Sequence, residues 1–354
     1  MDFFVASHKI QPHIRGNRFY NYEHEQFKRF IGHTLFMYLT FRLSQKKVCP
    51  LKVASWVEKS SSIEKHLHDQ PVITWIGHST FLIQCAGVNI LTDPIFGGAS
   101  FFYPRVLPAG LLPHQLPSID IILLSHNHRD HMDSSSLHAL RHHKAHILVP
   151  KGDKAWFEKR GFERVQEFTW WQQTTIDVEH AQARMRLTFL PAMHWSQRGL
   201  FDKNKSLWGS WMIEAMDSTK LTTNGGIYFA GDTAYSSHFK AIAQEFPLID
   251  IAMMPIGPCE PRSWMDPSHI SAQQAGQAFL DLQAHHFIPM HWGTFAFGTD
   301  EFDTPMIYLR EWWWENSQHV QSKQLHLPKI GAPLQILLKT PYLKETSRTV
   351  EIIL

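Results

Sequence analysis

The segment that most constrains this chain is a cluster of four metal-binding residue types within six positions, His126, His128, Asp130 and His131. It directly follows an apolar run, IDIILLS (119–125), which is typical of a buried strand. Packing does not explain the cluster, because crowded imidazoles repel one another on protonation and cost desolvation free energy. A divalent cation removes that cost. In an extended loop, residues two apart project to the same side, so His126 and His128 can hold one metal while Asp130 and His131 face a second.

Three later β-rich runs are each followed directly by a further candidate ligand. RLTFLPAM precedes His194, GGIYFAG precedes Asp232, and HFIPM precedes His291. Taken singly, each of these residues could equally well be an ordinary core or loop residue and not a metal ligand. Ligand sites in α/β sheets lie at strand ends, so the three are expected to converge in one cleft with the first cluster. Seven ligands are enough for two metals with open coordination positions.

The sequence pattern changes at Pro71, where short β-rich runs begin to alternate with helical patterns. This alternation predicts an α/β sandwich, in which helices cover sheets. VITWIGHSTFLIQ (72–84) is interpreted as a half-exposed strand, and LQILLK (334–339) as a strand in the tail. Residues 1–70 are predicted to be an N-terminal extension of helical or irregular structure, and residues 71–354 one catalytic domain. The predicted helices span residues 134–143, 153–160, 236–246 and 271–286.

Composition excludes several classes of protein. Thirty-four Lys and Arg against 32 Asp and Glu leave a net charge of +2, without the basic surface that nucleic-acid binders use, so no nucleic-acid partner is predicted. The three cysteines are far apart, so no disulfide framework is predicted, and a reducing compartment is favoured. The N-terminus lacks the pattern of a secretory signal, and no apolar run reaches the ~20 residues of a membrane span. The sequence therefore predicts a cytoplasmic protein.

One apolar run, residues 30–43, leaves two alternatives open. Basic residues flank it, so it could be an amphipathic helix that lies on a membrane surface. The more ordinary alternative is a helix packed on the catalytic domain.

The seven ligands resemble those of the metallo-β-lactamase superfamily, whose HxHxDH loop is followed by a later His, Asp and His. Further stretches resemble the N-acylphosphatidylethanolamine-hydrolysing phospholipase D family. They cover roughly residues 72–310 and comprise TWIGHSTF (74–81), LTDPIF (91–96), LLSHNHRDHMD (123–133), WGSW (208–211), FAGDTAY (229–235), PIGPCEPRSWM (255–265) and HWGTF (291–295).

The resemblance implies an αββα sandwich of two mixed β-sheets flanked by helices, with two divalent metal ions. In the family arrangement, one metal is held by His126, His128 and His194, and the other by Asp130, His131 and His291. Asp232 bridges the two, and a hydroxide completes the bridge. Two metals about 3.5–4 Å apart lower the pKa of such a water to about 7 and stabilise charge on a phosphodiester. The nitrogen and oxygen ligands favour zinc, with iron or manganese as alternatives.

Several residues around the metals are also predicted from the resemblance. His269 would lie near the scissile phosphate, where it binds an oxygen or protonates the leaving group, and so joins Asp130 and Asp232 as a catalytic residue. Asp93 would accept a hydrogen bond from a metal-binding imidazole, although it could instead cap a turn. His78 would line the cleft or play a structural role.

Aromatic residues are candidates for contact with a lipid. Trp195 and Trp264 are predicted to bind substrate, and Phe201 to add to an exposed apolar surface. The alternative for any one tryptophan is burial in the core, because the chain has 13 of them.

The predicted function is a zinc-dependent phosphodiesterase of phospholipase D type, which hydrolyses N-acylphosphatidylethanolamine to N-acylethanolamine and phosphatidic acid. Its substrate would be a phospholipid. Peripheral contact with a membrane surface and formation of a homodimer are both left open. A second enzymatic hypothesis is hydrolysis of a small phosphorylated lactone or another phosphodiester. A nucleic-acid processing enzyme is disfavoured by the near-neutral charge, and a non-catalytic scaffold by the complete ligand set.

Overall fold

The computed structural model describes residues 9–23, 53–58, 63, 70–216 and 225–338. Near the N-terminus, β1 (His13–Arg15) and β2 (Arg18–Tyr20) form an antiparallel hairpin. The sequence predicts helical or irregular structure there, so this part of the prediction is wrong for residues 13–20. The apolar run at residues 30–43 lies outside the described residues, and the domain boundary at residue 70 stays a prediction.

Two mixed sheets of seven strands form the body of the molecule. The first has the order β16-β3-β4-β5-β6-β7-β8. Its strands are β3 (Val72–Gly77), β4 (Thr80–Cys85), β5 (Val88–Thr92), β6 (Ile121–Leu123), β7 (His146–Pro150), β8 (Val165–Phe168) and β16 (Pro333–Gln335). The pairings from β16 to β5 are antiparallel and those from β5 to β8 are parallel.

The second sheet has the order β15-β14-β13-β12-β11-β10-β9. Its strands are β9 (Gln173–Val178), β10 (Ala183–Leu190), β11 (Ser210–Met216), β12 (Gly226–Phe229), β13 (Ile249–Pro255), β14 (His286–Met290) and β15 (Gln324–Leu325). The pairings from β9 to β12 are antiparallel and those from β12 to β15 parallel, so the second sheet repeats the pattern of the first.

In the part of the chain that the structure describes, six α-helices follow the strands, and two of them begin at capping side chains. The Asp133 carboxylate accepts a hydrogen bond from Ser136 N, and Ser271 and Gln274 form a capping box. The helices are α1 (Ser134–Leu140), α2 (Lys154–Glu158), α3 (His238–Glu245), α4 (Arg262–Met265), α5 (Ala272–Asp281) and α6 (Thr304–Glu315). Single 3₁₀ turns lie at Ala54–Trp56, Pro113–Gln115, Arg141–His143 and Glu179–Ala181.

Alternate residues of the first sheet face two different cores. Phe81 of β4 packs in a cluster with Trp211 of the second sheet, whereas its neighbour Leu82 packs in a cluster with Leu137 of α1 and Phe157 of α2. Such alternation follows from the period of two along a strand. The first sheet therefore has helices on one face and the second sheet on the other, which confirms the predicted αββα sandwich.

Two strand predictions need correction. Residues 72–84 form two strands, β3 and β4, that are buried along their whole length, rather than one half-exposed strand. The polar side chains that suggested exposure bond inside the fold: Gln84 Nε2 donates to Asn89 Oδ1 at 3.0 Å and Thr80 Oγ1 to the Asp93 carbonyl at 2.7 Å. In the tail, the strand is Pro333–Gln335, so only Leu334 and Gln335 of the predicted residues 334–339 belong to it, and residue 339 lies outside the described residues.

The strand ends bring the candidate ligands to one edge. Asp93 directly follows β5, and His126 follows β6 by three residues. His291 comes directly after β14, while His194 and Asp232 lie a few residues beyond β10 and β12. None of the helices in the described ranges is long and apolar enough to cross a membrane.

Candidate metal centre

Three histidines form the first group of the site. His126 Nε2 lies 2.8 Å from His128 Nδ1, and His194 Nε2 lies 3.2 Å from the same atom. The ligand atoms of the three side chains all lie within 4.8 Å of one another. This spacing matches three nitrogen ligands directed at a single cation.

A second group contains a carboxylate and three imidazoles. Asp130, His131, His291 and His78 offer ligand atoms within 4.8 Å of one another. His131 Nε2 lies 3.5 Å from Asp130 Oδ2, and His78 Nε2 lies 3.1 Å from the same oxygen. The two groups are therefore the His and Asp clusters that a dinuclear metal site requires.

Asp232 lies between the two groups. Its Oδ2 is 3.0 Å from His291 Nε2 and 3.3 Å from His131 Nε2 in the second group. The same oxygen is 3.8 Å from His194 Nε2 and 4.0 Å from His126 Nε2 in the first. The carboxylate is thus within reach of both groups, as the predicted bridging role needs.

Hydrogen bonds outside the clusters orient the imidazoles. His194 Nδ1 donates to the Ser268 carbonyl and His291 Nδ1 to the Gly257 carbonyl, each at 2.8 Å. Because a carbonyl oxygen only accepts, both Nδ1 atoms carry the proton and both Nε2 lone pairs face the centre.

Asp93 orients two further predicted ligands, His131 and His126. Its Oδ2 accepts from His131 Nδ1 at 2.7 Å and from Ser125 Oγ at 2.6 Å. Ser125 Oγ in turn lies 2.9 Å from His126 Nδ1, and Ser125 N donates to Asp93 Oδ1 at 2.8 Å. The buried carboxylate therefore fixes one imidazole in each group, directly for His131 and through a hydroxyl for His126.

Unpartnered atoms indicate that this centre is built for cations. Among the described residues, the buried polar atoms without a hydrogen bond of acceptable geometry include His131 Nε2, His291 Nε2 and Asp232 Oδ1. Buried polar atoms are rarely left without partners, because the desolvation cost is then uncompensated. His131 Nε2 and His291 Nε2 face Asp232 Oδ2 at 3.3 and 3.0 Å, so divalent metals fit this set of donors.

Burial lowers the pKa of two imidazoles of the site, and neighbouring charges lower the pKa of the Asp232 carboxylate. Burial lowers the pKa of His194 to about 3 and that of His128 to about 4. Burial would raise the pKa of Asp232, but the imidazoles of His131 and His291 hold it well below its usual range. Neutral imidazoles and an ionised carboxylate are the protonation states that bind metal.

An arginine clamps the loop that carries the first four predicted ligands. Arg198 Nη1 donates to the Asn127 carbonyl at 3.1 Å and to the Met132 carbonyl, and Nη2 donates to Ser134 Oγ at 3.0 Å. The clamp therefore holds both ends of the segment between Asn127 and Met132.

The remaining predicted residues lie around this centre. His269 Nδ1 is 3.7 Å from Asp232 Oδ2, and the His128 and Trp195 rings are 4.3 Å apart between centroids. Trp264 lies half-buried on the short helix α4. The structure brings all seven predicted ligands together, while their roles as ligands remain predictions.

Sequence reasoning missed an aromatic cavity beside His291. The rings of Phe295 and Phe297 lie 5.0 and 5.6 Å from that of His78, and Tyr103 packs 4.9 Å from Phe297. Phe295, Phe297, Trp292 and Phe302 line the cavity together with His291. The signal available in the sequence was the aromatic-rich stretch HWGTFAF (291–297), which continues the motif HWGTF by Ala296 and Phe297.

Comparison with known proteins agrees with this geometry. The model of the beta-lactamase superfamily domain matches residues 88–292. N-acyl-phosphatidylethanolamine-hydrolyzing phospholipase D 1 of Caenorhabditis elegans is 33% identical over 242 residues, which are 65% of this chain and 65% of that protein. A mitochondrial protein of the same description from Saccharomyces cerevisiae is 35% identical over 253 residues, 68% of this chain and 52% of that protein. The chain thus spans between half and two thirds of the length of these relatives.

A solved structure has the same fold. Igni18, a metallo hydrolase from the archaeon Ignicoccus hospitalis, superposes with a TM-score of 0.57 at 19% identity, over 76% of this chain and 100% of that one. At 19% identity, this similarity shows a shared fold only. With the family match over residues 88–292 and the buried His and Asp clusters, the chain belongs to the metallo-β-lactamase superfamily of metal-dependent hydrolases.

Proposed function

We propose that this chain is a two-metal phosphodiesterase of phospholipase D type that hydrolyses N-acylphosphatidylethanolamine to N-acylethanolamine and phosphatidic acid. The observation that carries the proposal is the position of Asp232 Oδ2, within 4.0 Å of imidazole nitrogens from both ligand groups. The substrate is supported by the two relatives described above, whose names state hydrolysis of this lipid.

The proposed metal ligands fall into the two groups described above. His126, His128 and His194 would hold one cation, and Asp130, His131 and His291 the other, with Asp232 shared between them. Bound divalent cations supply Lewis-acid stabilisation of a phosphodiester and lower the pKa of water, and zinc suits these donors. In the reaction, a water oxygen bonds to phosphorus while the bond from phosphorus to the ethanolamine oxygen breaks, and that oxygen leaves with a proton.

His269 is proposed to bind a phosphate oxygen. Its ring lies 5.1 Å from that of His194 and its side chain is one-fifth exposed, so a substrate can reach it. Burial lowers the pKa of His269 to about 3, which keeps the imidazole neutral. A neutral imidazole donates an N–H hydrogen bond readily but is a poor proton donor, so oxygen binding is favoured over protonation of the leaving group.

The aromatic cavity is proposed to receive the apolar part of the substrate. Phe295 and Phe297 form its wall next to His78 and His291. Asp300 and Glu301 also line the cavity, and their carboxyl groups disfavour an anionic phosphate there. On the other side of the centre, Trp195 lies against His128 and beneath Lys203, whose Nζ is 5.4 Å from the indole centroid. The phosphate is therefore expected between Trp195 and the cavity.

Two loops that flank the centre are proposed to contact a membrane surface. Phe101 and Phe102 are 93% and 61% exposed, and the loop that carries them reaches Phe297 through Tyr103. Leu200 and Phe201, 86% and 82% exposed, follow Arg198, which clamps the ligand loop. Exposed apolar side chains on both sides of a site are suited to a lipid interface.

The proposal is tested by incubating the purified protein with vesicles of mixed phospholipids, with products identified by mass spectrometry and metal content measured in parallel. We expect two metals per chain and release of N-acylethanolamine with phosphatidic acid, both lost in Asp232→Asn. Turnover of a soluble phosphorylated lactone without turnover of the lipid would favour the alternative substrate. Full activity of Asp232→Asn would overturn the metal mechanism.

A further inference from the structure

A buried asparagine from the N-terminal segment bonds to the backbone of a ligand residue 173 positions later. Asn21 Nδ2 donates to the His194 carbonyl at 3.0 Å, and His194 N donates to Asn21 Oδ1 at 3.2 Å. Asn21 is only 5% exposed. The side-chain amide thus satisfies both backbone polar groups of His194, as a neighbouring strand would.

His194 needs such a partner because it lies beyond the sheet. β10 ends at Leu190, so the ladder with β11 no longer holds the backbone four residues further on. The imidazole is fixed through Nδ1 by the Ser268 carbonyl, and the backbone through Asn21. Together these contacts set where Nε2 points.

The amide itself is held firmly. Trp208 Nε1 donates to Asn21 Oδ1 at 3.1 Å, which fixes the orientation of the amide, since an indole N–H only donates. On either side of Asn21, Phe19 N donates to the Asn204 carbonyl at 2.8 Å, and the Tyr22 hydroxyl accepts from His238 N at 2.9 Å. The segment is therefore anchored to two different parts of the catalytic domain.

We propose that Asn21 is a positioning residue that fixes the backbone of His194 and thereby sets the metal affinity of the group His126, His128 and His194. The inference rests on the proposed metal centre but not on the substrate. Outer partners of metal ligands typically change metal affinity about 10–100-fold when they are removed. It follows that Asn21 supports the metal centre, although it lies about a hundred positions before the first proposed ligand, His126.

The test compares Asn21→Asp, Asn21→Ala and a matched control, Tyr22→Phe, in the full chain loaded with zinc. Asn21→Asp keeps the acceptor for His194 N but loses the donor to the His194 carbonyl. Tyr22→Phe removes hydrogen bonds of the same segment that do not touch His194. Zinc transfer to a chromogenic chelator gives the number of bound ions and the release rate of each.

We expect both Asn21 variants to release one of two zinc ions about tenfold faster or more, with the second ion and the Tyr22→Phe protein unchanged. Equal release from Asn21→Asp and wild type would overturn the inference, as would equal acceleration by Tyr22→Phe, which would indicate general loosening of the segment. A wild type that binds no zinc would overturn the proposed metal centre and this inference with it. The test uses no substrate, so a failure to hydrolyse phospholipid would count against the proposed substrate and not against the role of Asn21.

Discussion

Asp93 Oδ2 accepts a hydrogen bond from His131 Nδ1 at 2.7 Å, and neither side chain is exposed to solvent. Burial raises the pKa of Asp93, while the hydrogen bonds from His131 and Ser125 act against this rise. A carboxylate in this position makes the imidazole a stronger ligand and prevents it from turning away from the centre.

The first prediction concerns this pair. Asp93→Asn keeps the size of the side chain but removes its charge, so we expect metal affinity to fall about 10–100-fold. Equilibrium dialysis with zinc measures the loss. The control is Asp177→Asn, which removes an exposed carboxylate paired with Arg184 on the surface of the second sheet. Unchanged zinc affinity in Asp93→Asn would contradict the role assigned to the carboxylate.

The second prediction concerns the stability of the metal-free protein at low pH. Burial lowers the pKa of His78, His194 and His269 to about 3 and that of His128 to about 4. The unfolded chain, with histidine pKa values of about 6.5, binds more protons below that pH. Stability is therefore fully present above about pH 6.5 and is lost as the pH falls toward 4.

His131 acts with the opposite sign in this titration. Burial disfavours its charged form, but Asp232 and Asp130 raise its pKa well above the usual value, so its contribution is lost as the pH rises instead. Below pH 6.5 the histidines whose pKa burial lowers, which also include His126 and His238, outweigh the groups of opposite sign. Besides His131, these are Asp153 and Asp250, whose pKa values burial raises to about 7 and about 6. We expect the midpoint of urea unfolding, measured after EDTA treatment, to decrease steadily from pH 7 to pH 5. A flat profile over this range would contradict the prediction.

The convergence of the seven candidate ligands could be predicted from sequence because each follows a strand pattern directly. His126 and His291 are one to three residues from the end of a strand, and parallel strands bring such positions to one edge. Asn21 could not be identified in this way. The hydrogen bonds of Asn21 connect residues 173 positions apart, and no periodicity in the chain encodes such a pair.

The error at residues 72–84 has a related cause. Polar residues in a β-rich run ordinarily mark a solvent face, but Thr80 and Gln84 find partners on the next strand and its end. Hydrogen bonding across neighbouring strands compensates their burial. This compensation depends on register, which the pattern of one strand does not reveal.

The third prediction concerns the aromatic cavity. Phe297→Ala removes a ring that packs on Phe295 and Tyr103, so a long acyl chain would lose apolar contact. Burial of one such ring contributes about 1.5–3 kcal/mol, so we expect kcat/KM for a long-chain lipid to fall about tenfold or more. Activity on a soluble phosphodiester should stay near that of the wild type. The control is Trp314→Ala, an 82% exposed residue of α6.

The last prediction concerns the two exposed loops beside the centre. The double variant Phe101→Ser and Phe201→Ser removes one apolar side chain from each loop, both more than 80% exposed. At about 1.5–3 kcal/mol for each inserted ring, sedimentation with phosphatidylcholine vesicles should show binding at least tenfold weaker. Leu248→Ser is the matched control, because Leu248 is 62% exposed but precedes β13, at the edge opposite the ligands. Equal weakening by Leu248→Ser would indicate nonspecific adsorption, and unchanged binding of the double variant would exclude these loops as the membrane contact.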